Sequence, residues 1–275
     1  MLSFIFNRSS SSTIKNKAMN LDLNKTLELA IGWAKKVGEI HLSYFRGNNL
    51  DIHTKSNVFD VVTRADKESE AFLIAKIQEN FPDHAILGEE TGKHEGDSDY
   101  LWAIDPLDGT NNFSQGLAIF TVSIGLQYKG KTILGVVYAP YLRELYTAVR
   151  GQGAFLNETP IHVSAKGDLE HSVLGTGFPY DKGVNPDNNI ANLASILPHL
   201  RGIRRMGSAA YDLCCVAAGW LDGYWELNLN LWDICAGGLI VEEAGGCVVS
   251  LRENRGISII AGNAVIIDKI RGKVN

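Results

Sequence analysis

The stretch Trp102-Ala103-Ile104-Asp105-Pro106-Leu107-Asp108-Gly109-Thr110-Asn111-Asn112-Phe113 decides how the chain is read. Residues 101–104 form an apolar, strand-like run that stops at two carboxylates, Asp105 and Asp108, three residues apart. Pro106 stiffens the turn between them because its ring fixes φ. Gly109-Thr110 then opens a turn or helix. Two carboxylates at a strand end suit a hard divalent cation, which takes oxygen ligands. Backbone N–H groups at Gly109 and Thr110 suit a phosphate. Together they point to a Mg-dependent, phosphate-processing site. A bare Asp-x-x-Asp is more often a capped loop whose carboxylates bind only backbone, so the rest of the chain has to arbitrate.

The 275 residues leave room for one large domain or two tightly joined halves. Hydrophobic residues make up 45% and charged residues 21%, enough apolar content for a sizeable core. A net charge of −5 with no long basic run argues against nucleic acid or an anionic membrane as a bulk partner. Both reward clustered Lys and Arg. No apolar run reaches the roughly 18 residues that span a bilayer. Cys214, Cys215, Cys235 and Cys247 include no Cys-x-x-Cys pair, and buried reduced thiols are expected rather than a zinc site or disulfides.

Residues 1–20 differ from the rest. They hold a short apolar patch (Leu2, Phe4, Ile5, Phe6), then Arg8, a serine run at 9–12, Lys15 and Lys17, with no acid before Asp22. This leader is expected to lie outside the fold. An organellar transit segment, a disordered leader and a start at Met19 all fit the composition; a secretory signal fits poorly.

Apolar residues recur at helical spacing over residues 23–44 (Leu27, Ala30, Ala34, Val37, Ile40, Tyr44), and Gly47 with Asn48 ends that helix. Residues 59–63 read as a strand. A second helix uses Ala71, Phe72, Ile74, Ala75 and Ile77 and is closed by Pro82. Residues 85–87 read as a strand entering Gly88-Glu89-Glu90, and the polar 91–99 as a mobile loop. Strands follow at 120–128, 132–138 and 144–149, then a hairpin-rich stretch at 155–163. Beyond 164 the chain alternates: strands at 172–175, 223–227, 247–251 and 258–261, and helices at 188–200, 208–218, 233–244 and 263–270. The pattern predicts one domain over 21–275, in two layered halves of about 21–163 and 164–275 with a cleft between them.

Further acids sit where elements begin or end. Glu89 follows a short strand, Asp233 stands at the expected N-cap of the helix at 233–244, and Asp60 precedes Val61-Val62-Thr63, with Asp66 close behind. Each also has a plain structural role: Glu89 in a solvated turn, Asp233 and Asp66 as helix caps. Asp60 in an apolar run is harder to dismiss, since a buried carboxylate needs a partner.

Taken jointly, these motifs resemble the inositol monophosphatase family. The resemblance is carried by Gly88-Glu89-Glu90, by Asp105-Pro106-Leu107-Asp108-Gly109-Thr110-x-x-Phe113, and by Trp232-Asp233-x-x-Ala236-Gly237 through Glu243-Ala244-Gly245-Gly246. Asp60-x-Val-Thr63-x-Ala-Asp66 resembles the upstream signature and Gly207-Ser208-Ala209-Ala210 the substrate-side helix start. It spans roughly residues 23–270 and implies a five-layer α-β-α-β-α sandwich. It further implies about two to three Mg²⁺ ions per site, held by Glu89, Asp105, the Leu107 carbonyl, Asp108 and Asp233. Thr110, with Asp60 behind it and Glu89 nearby, would orient and deprotonate the attacking water. Asp108, Gly109, Thr110 and Asp233 would face the phosphate and its ester oxygen, and Ala209 and Glu226 the alcohol. A homodimer, Li⁺ inhibition and a cytoplasmic location also follow from the resemblance.

Phosphate monoesters hydrolyse so slowly unaided that the barrier reduction required is near the top of the known range. Two metal ions about 4 Å apart supply much of it. There is no Asp-phosphate nucleophile motif and no Cys-x5-Arg loop, which favours direct attack by water. The resemblance, with the compact length and the Glu226 match, implies a small phosphorylated polyol or sugar as substrate, foremost inositol 1-phosphate. Fructose 1,6-bisphosphate, 3′-phosphoadenosine 5′-phosphate and histidinol phosphate stand as alternatives on the same metal core. Arg201, Arg204 and Arg205 could serve a second phosphate, but a solvated approach to a helix is the favoured reading. A non-catalytic binding protein of the same fold would have eroded metal carboxylates or a changed Thr110, and neither is seen.

Overall fold

Helix α1 (Leu23–Tyr44) starts where the Asp22 carboxylate accepts hydrogen bonds from the N–H groups of Asn24 and Lys25. The computed structural model describes residues 21–47, 50–252 and 254–275, so the expectations for residues 1–20 and for Asn48 lie outside the described residues. The buried stripe of α1 runs Ala30, Trp33, Ala34, Val37 and His41, spacings of three and four. Ile40 and Tyr44 are only half-buried, and the polar-looking His41 takes the core position instead. Strands β1 (His53–Thr54) and β2 (Val61–Val62) form a small antiparallel ribbon, shorter than the strand expected at 59–63. Helix α2 (Arg64–Asn80) opens with a capping box between Thr63 and Asp66.

Eight strands build the larger sheet: β3 (Ala85–Gly88), β4 (Gly92–His94), β5 (Tyr100–Asp108), β6 (Thr121–Tyr128), β7 (Lys131–Ala139), β8 (Glu144–Val149), β9 (Ala154–Leu156) and β10 (Thr159–Pro160). Their order is β10-β9-β8-β7-β6-β5-β3-β4. Strand β4 lies where the polar sequence predicted a mobile loop. It is the outermost strand and half-exposed, so its ladder to β3 needs no apolar side chains. A short helix, α3 (Thr110–Ser114), follows β5.

The second sheet holds β11 (Val173–Thr176), β12 (Gly202–Arg204), β13 (Gly223–Leu229), β14 (Cys247–Arg252) and β15 (Ile257–Gly262), in the order β12-β11-β13-β15-β14. Between them run α4 (Ile190–Ile196), α5 (Ala209–Ala217) and α6 (Leu231–Glu243), and α7 (Ala264–Arg271) follows. The helix expected over 188–200 is only α4 plus one 3₁₀ turn, Leu197–His199, because Pro198 has no N–H to continue the helical ladder. The helix expected to start at Asp233 starts two residues earlier, capped by Asn230, which places Asp233 at the third helical position.

Three of the hydrophobic clusters hold the five layers together, the middle one packing on both sheets. Helices α1 and α2 cover one face of the eight-stranded sheet through Trp33, Leu73, Ile77, Trp102 and Ile124. Helices α5 and α6 fill the space between the sheets, touching Val137 and Tyr146 on one side and Tyr224 and Ile259 on the other. Their middle position explains why all nine residues of α5 are buried. Helix α7, with Ile196 of α4, covers the outer face through Trp225, Ile260, Ile266 and Ile270. This is the expected α-β-α-β-α sandwich. Among the described residues no helix is long and apolar enough to cross a membrane. All four cysteines are free thiols, three of them buried.

Candidate active site

Parallel pairing of β3 and β5 sets Gly88 opposite Ile104, so both strands leave the sheet together and Glu89 follows beside Asp105. Glu70 of α2, buried, accepts from the N–H groups of Glu90 (2.9 Å) and Thr91 (2.7 Å) and holds the turn after Glu89. The pairing of β5 with β6 is irregular between Asp105 and Asp108, and there the Leu107 N–H turns back to Asp105 Oδ1 (3.0 Å). Gly109 has φ +96°, and a Cβ there would lie 3.0 Å from the Ile119 carbonyl, so only glycine fits the bend into α3. Thr110 is the first residue of α3, whose opening N–H groups lack intrahelical acceptors.

The opposite wall comes from the second half of the chain. Asp108 Oδ2 accepts from Ser208 Oγ and the Ala210 N–H, both at 2.7 Å, which ties the end of β5 to the start of α5. Asp233 Oδ2 accepts from the Asn230 N–H at 2.6 Å. Glu226, on β13, bonds the Tyr224 hydroxyl. A Cβ on Gly177 would fall 1.9 Å from Glu226 Oε1, so the backbone at 177 must be glycine to admit this carboxylate. Glu89, Asp105, Asp108, Thr110, Glu226 and Asp233 line one cleft of about 350 Å³. Leu107, Gly109 and Ala209 border it as well. Of the three arginines weighed for a second phosphate, Arg205 borders the cleft, while Arg204 is exposed and turns to the Ile203 carbonyl.

Asp60 does not stand behind Thr110. Its carboxylate accepts from Ser56 Oγ (2.7 Å) on a half-exposed loop, where solvent and a hydroxyl satisfy it. The partner of Thr110 is Asp66: Thr110 Oγ1 lies 2.9 Å from Asp66 Oδ1 and 2.9 Å from the Leu107 carbonyl. Asp66 Oδ2 accepts from the Thr63 N–H (2.8 Å) and Thr63 Oγ1 (2.6 Å), so one carboxylate caps α2 and reaches the site at once. Lys55, absent from the sequence reading, bridges Glu89 (2.7 Å) and Glu90. Tyr180 is a further cleft residue that carried no sequence signal. Its loop is fastened by Arg255, bidentate on Asp181 (2.9 and 3.0 Å), and by Arg252 on Asp187.

Burial drives the electrostatics. Desolvation, then the charges of Glu89, Asp108 and Asp233, hold the Asp105 carboxyl well above the ordinary range. Desolvation and Asp108 do the same to Asp233. Burial raises Asp108 to about 6, against the pull of Ser208 and Ala210. Burial likewise raises Asp66 to about 6 and Glu226 to about 7. Burial alone would lower the Lys55 ammonium, but Glu89 and Glu90 outweigh it and hold it above its ordinary range. Among the described residues no three His, Cys, Asp or Glu side chains converge on one point as a finished ion cage. The donor set still fits Mg²⁺, which takes few carboxylates and keeps its own waters. Glu89, Asp105, Asp108 and Asp233 share one buried cleft in which the charges of Glu89, Asp108 and Asp233 raise the pKa of neighbouring carboxylates, and a cation relieves that repulsion.

A sequence model of the inositol monophosphatase family matches residues 22–272. The chain is 42% identical over 257 residues to Nus factor SuhB of Haemophilus influenzae, covering 92% of this chain and 96% of that protein. It is equally identical, again over 257 residues, to inositol-1-monophosphatase of Mesorhizobium japonicum, covering 92% and 94%. Among solved structures, the extragenic suppressor protein suhB of Bartonella henselae superposes with a TM-score of 0.85 at 38% identity, covering 90% of this chain and 98% of that one. The inositol monophosphatase of Anabaena gives 0.81 at 40% identity, covering 92% and 96%. The layered fold and its cleft are thus those of a phosphatase family. The chain belongs to the inositol monophosphatase family.

Proposed function

We propose that this protein is a Mg²⁺-dependent phosphatase that hydrolyses a small phosphate monoester by direct attack of water, with inositol 1-phosphate as its preferred substrate. The observation that carries the reading is the Thr110–Asp66 pair facing four cleft carboxylates. Mg²⁺ held by Glu89, Asp105, the Leu107 carbonyl, Asp108 and Asp233 would neutralise the phosphate and lower the pKa of the attacking water. The proton path belongs to the chain. Water donates to Thr110 Oγ1 as the Thr110 proton passes to Asp66 Oδ1, a carboxylate already anchored by Thr63. The N–H groups of Gly109 and Thr110 receive phosphate oxygens at the opening turn of α3.

At the alcohol end, Glu226 and Ala209 offer an acceptor and a small surface, which suits a polyol bearing hydroxyl donors. Among the described residues Arg205 is the one arginine that lines the cleft, which fits a monophosphate better than a bisphosphate. Relatives carry two kinds of name, inositol-1-monophosphatase and Nus factor SuhB, and turnover separates an enzymatic from a non-enzymatic role for this chain. The test measures phosphate release from inositol 1-phosphate, fructose 1,6-bisphosphate, 3′-phosphoadenosine 5′-phosphate and histidinol phosphate, with Mg²⁺ and with chelator. Inositol 1-phosphate should give the highest kcat/KM, with no turnover in chelator and inhibition by Li⁺. No Mg²⁺-dependent turnover of any of the four would sink the proposal. A homodimer is part of the same proposal and is checked by sedimentation.

A further inference from the structure

His41 is fully buried on the core stripe of α1, 65 positions before the residue it touches. Its Nε2 lies 2.8 Å from the Pro106 carbonyl. A carbonyl only accepts, so Nε2 carries the proton and Nδ1 is bare. Among the described residues Nδ1 has no partner, and the ring stands against Phe113 and Phe120 at centroid distances of 6.1 and 5.9 Å. A leucine or isoleucine would fill this stripe without leaving a polar atom orphaned in an aromatic wall. What the imidazole adds is one aimed donor.

The acceptor of that donor is informative. The Pro106 carbonyl and the Leu107 N–H belong to one peptide group, and a trans peptide points them in opposite directions. On its far side the Leu107 N–H donates to Asp105 Oδ1 at 3.0 Å. His41 is therefore joined through a single peptide to the carboxylate at the centre of the acidic cleft. A donor on the carbonyl polarises the peptide and strengthens the bond its N–H makes beyond. It also fixes the peptide plane, which commits Asp105 Oδ1 to the backbone and leaves Oδ2 for the cleft.

We propose that His41 is a positioning residue for cation binding, acting through the Pro106–Leu107 peptide to orient Asp105. The inference rests on the Mg²⁺ reading above and deepens it. It is tested by isothermal titration calorimetry of Mg²⁺ binding and by ¹⁵N NMR of the imidazole in the full-length protein. His41→Leu should weaken Mg²⁺ binding about fivefold or more. His41→Gln, whose amide reaches the same carbonyl, should restore it to within about twofold, and the shorter His41→Asn should not. A role in packing alone would lower the melting temperature of all three variants and leave the affinities of the folded proteins equal.

The wild-type NMR spectrum should show the Nε2–H tautomer. An Nδ1–H tautomer would overturn the proposal even if the leucine variant failed to fold, because the donor would be missing. So would wild-type Mg²⁺ affinity, within about twofold, in folded His41→Leu or His41→Asn. Absence of any Mg²⁺ binding to the wild-type protein would instead refute the metal reading on which the proposal stands.

Discussion

The Thr110 hydroxyl has one proton and two acceptors at 2.9 Å, Asp66 Oδ1 and the Leu107 carbonyl, so its lone pairs are free to accept from a cleft water. Proton transfer of this kind contributes about 10²- to 10⁴-fold in rate. Asp66→Asn should therefore lower kcat by about that factor with the fold intact, and Thr110→Ala should do the same. Asp60→Asn should stay within about twofold of wild type, since Asp60 bonds Ser56 at the cleft edge while Asp66 takes the Thr110 hydroxyl. Steady-state kinetics with circular dichroism decides; a large loss in Asp60→Asn with none in Asp66→Asn would reverse the assignment. Asp66 must be ionised to accept the proton, so kcat/KM should rise with pH along an acidic limb whose midpoint is no higher than about 6. The choice between the two aspartates was not legible in the sequence. They flank the same Val61-Val62-Thr63 segment, and in the sequence a helix cap is already a complete role for Asp66. A carboxylate has two oxygens, and Asp66 spends one on the cap and one on Thr110.

At the scale of elements, the sequence was most legible where periodicity and punctuation agree. The α1 boundaries match the residues 23–44 read from apolar spacing, and α5, expected over 208–218, runs Ala209–Ala217 behind a Ser208 cap. The elements missed are β1, β4 and β12, each two or three residues long and held by main-chain pairing at an edge, which leaves little side-chain pattern to read. Also invisible was the fastening of the Tyr180 loop to the β14–β15 turn, because the partners Asp181 and Arg255 are 74 positions apart. A bidentate guanidinium–carboxylate pair is among the stronger ionic contacts. Both side chains here keep some exposure (24% and 38%), so the net contribution is discounted to about 1 kcal/mol. Arg255→Ala should thus depopulate the seated loop by roughly fivefold. Tyr180 lines the cleft and, among the described residues, makes no hydrogen bond to the Thr110–Asp66 pair, so KM should rise a few-fold while kcat holds within about twofold. The charge swap Arg255→Asp with Asp181→Arg should recover KM. Unchanged KM in Arg255→Ala would show that the loop is seated by other contacts.

For the whole molecule, the five layers gather onto one cleft the acids of two half-chains: Glu89, Asp105 and Asp108 from the first sheet, Glu226 and Asp233 from the second half. That arrangement opposes folding in the absence of a cation. Asp108 has an ordinary pKa of 3.8 and is raised to about 6 in the fold by burial. Below pH 3.8 both states hold the proton and the group costs nothing. Between about 4 and 6 the unfolded chain releases a proton that the fold retains, so stability falls as pH rises and levels off above about 6. Two units at about 1.36 kcal/mol each bound the loss at ~3 kcal/mol. Asp108→Asn does not titrate and escapes the penalty. In chelator, the stability of Asp108→Asn relative to wild type should therefore climb between pH 4 and 6, read as urea midpoints at matched m-values. Mg²⁺ should close most of that gap at pH 7, adding about 2.7 kcal/mol to the wild type at a hundredfold excess over its dissociation constant and much less to the variant. A pH-independent difference in chelator, or equal Mg²⁺ stabilisation of both proteins, would mean that the cleft carboxylates are satisfied without a cation.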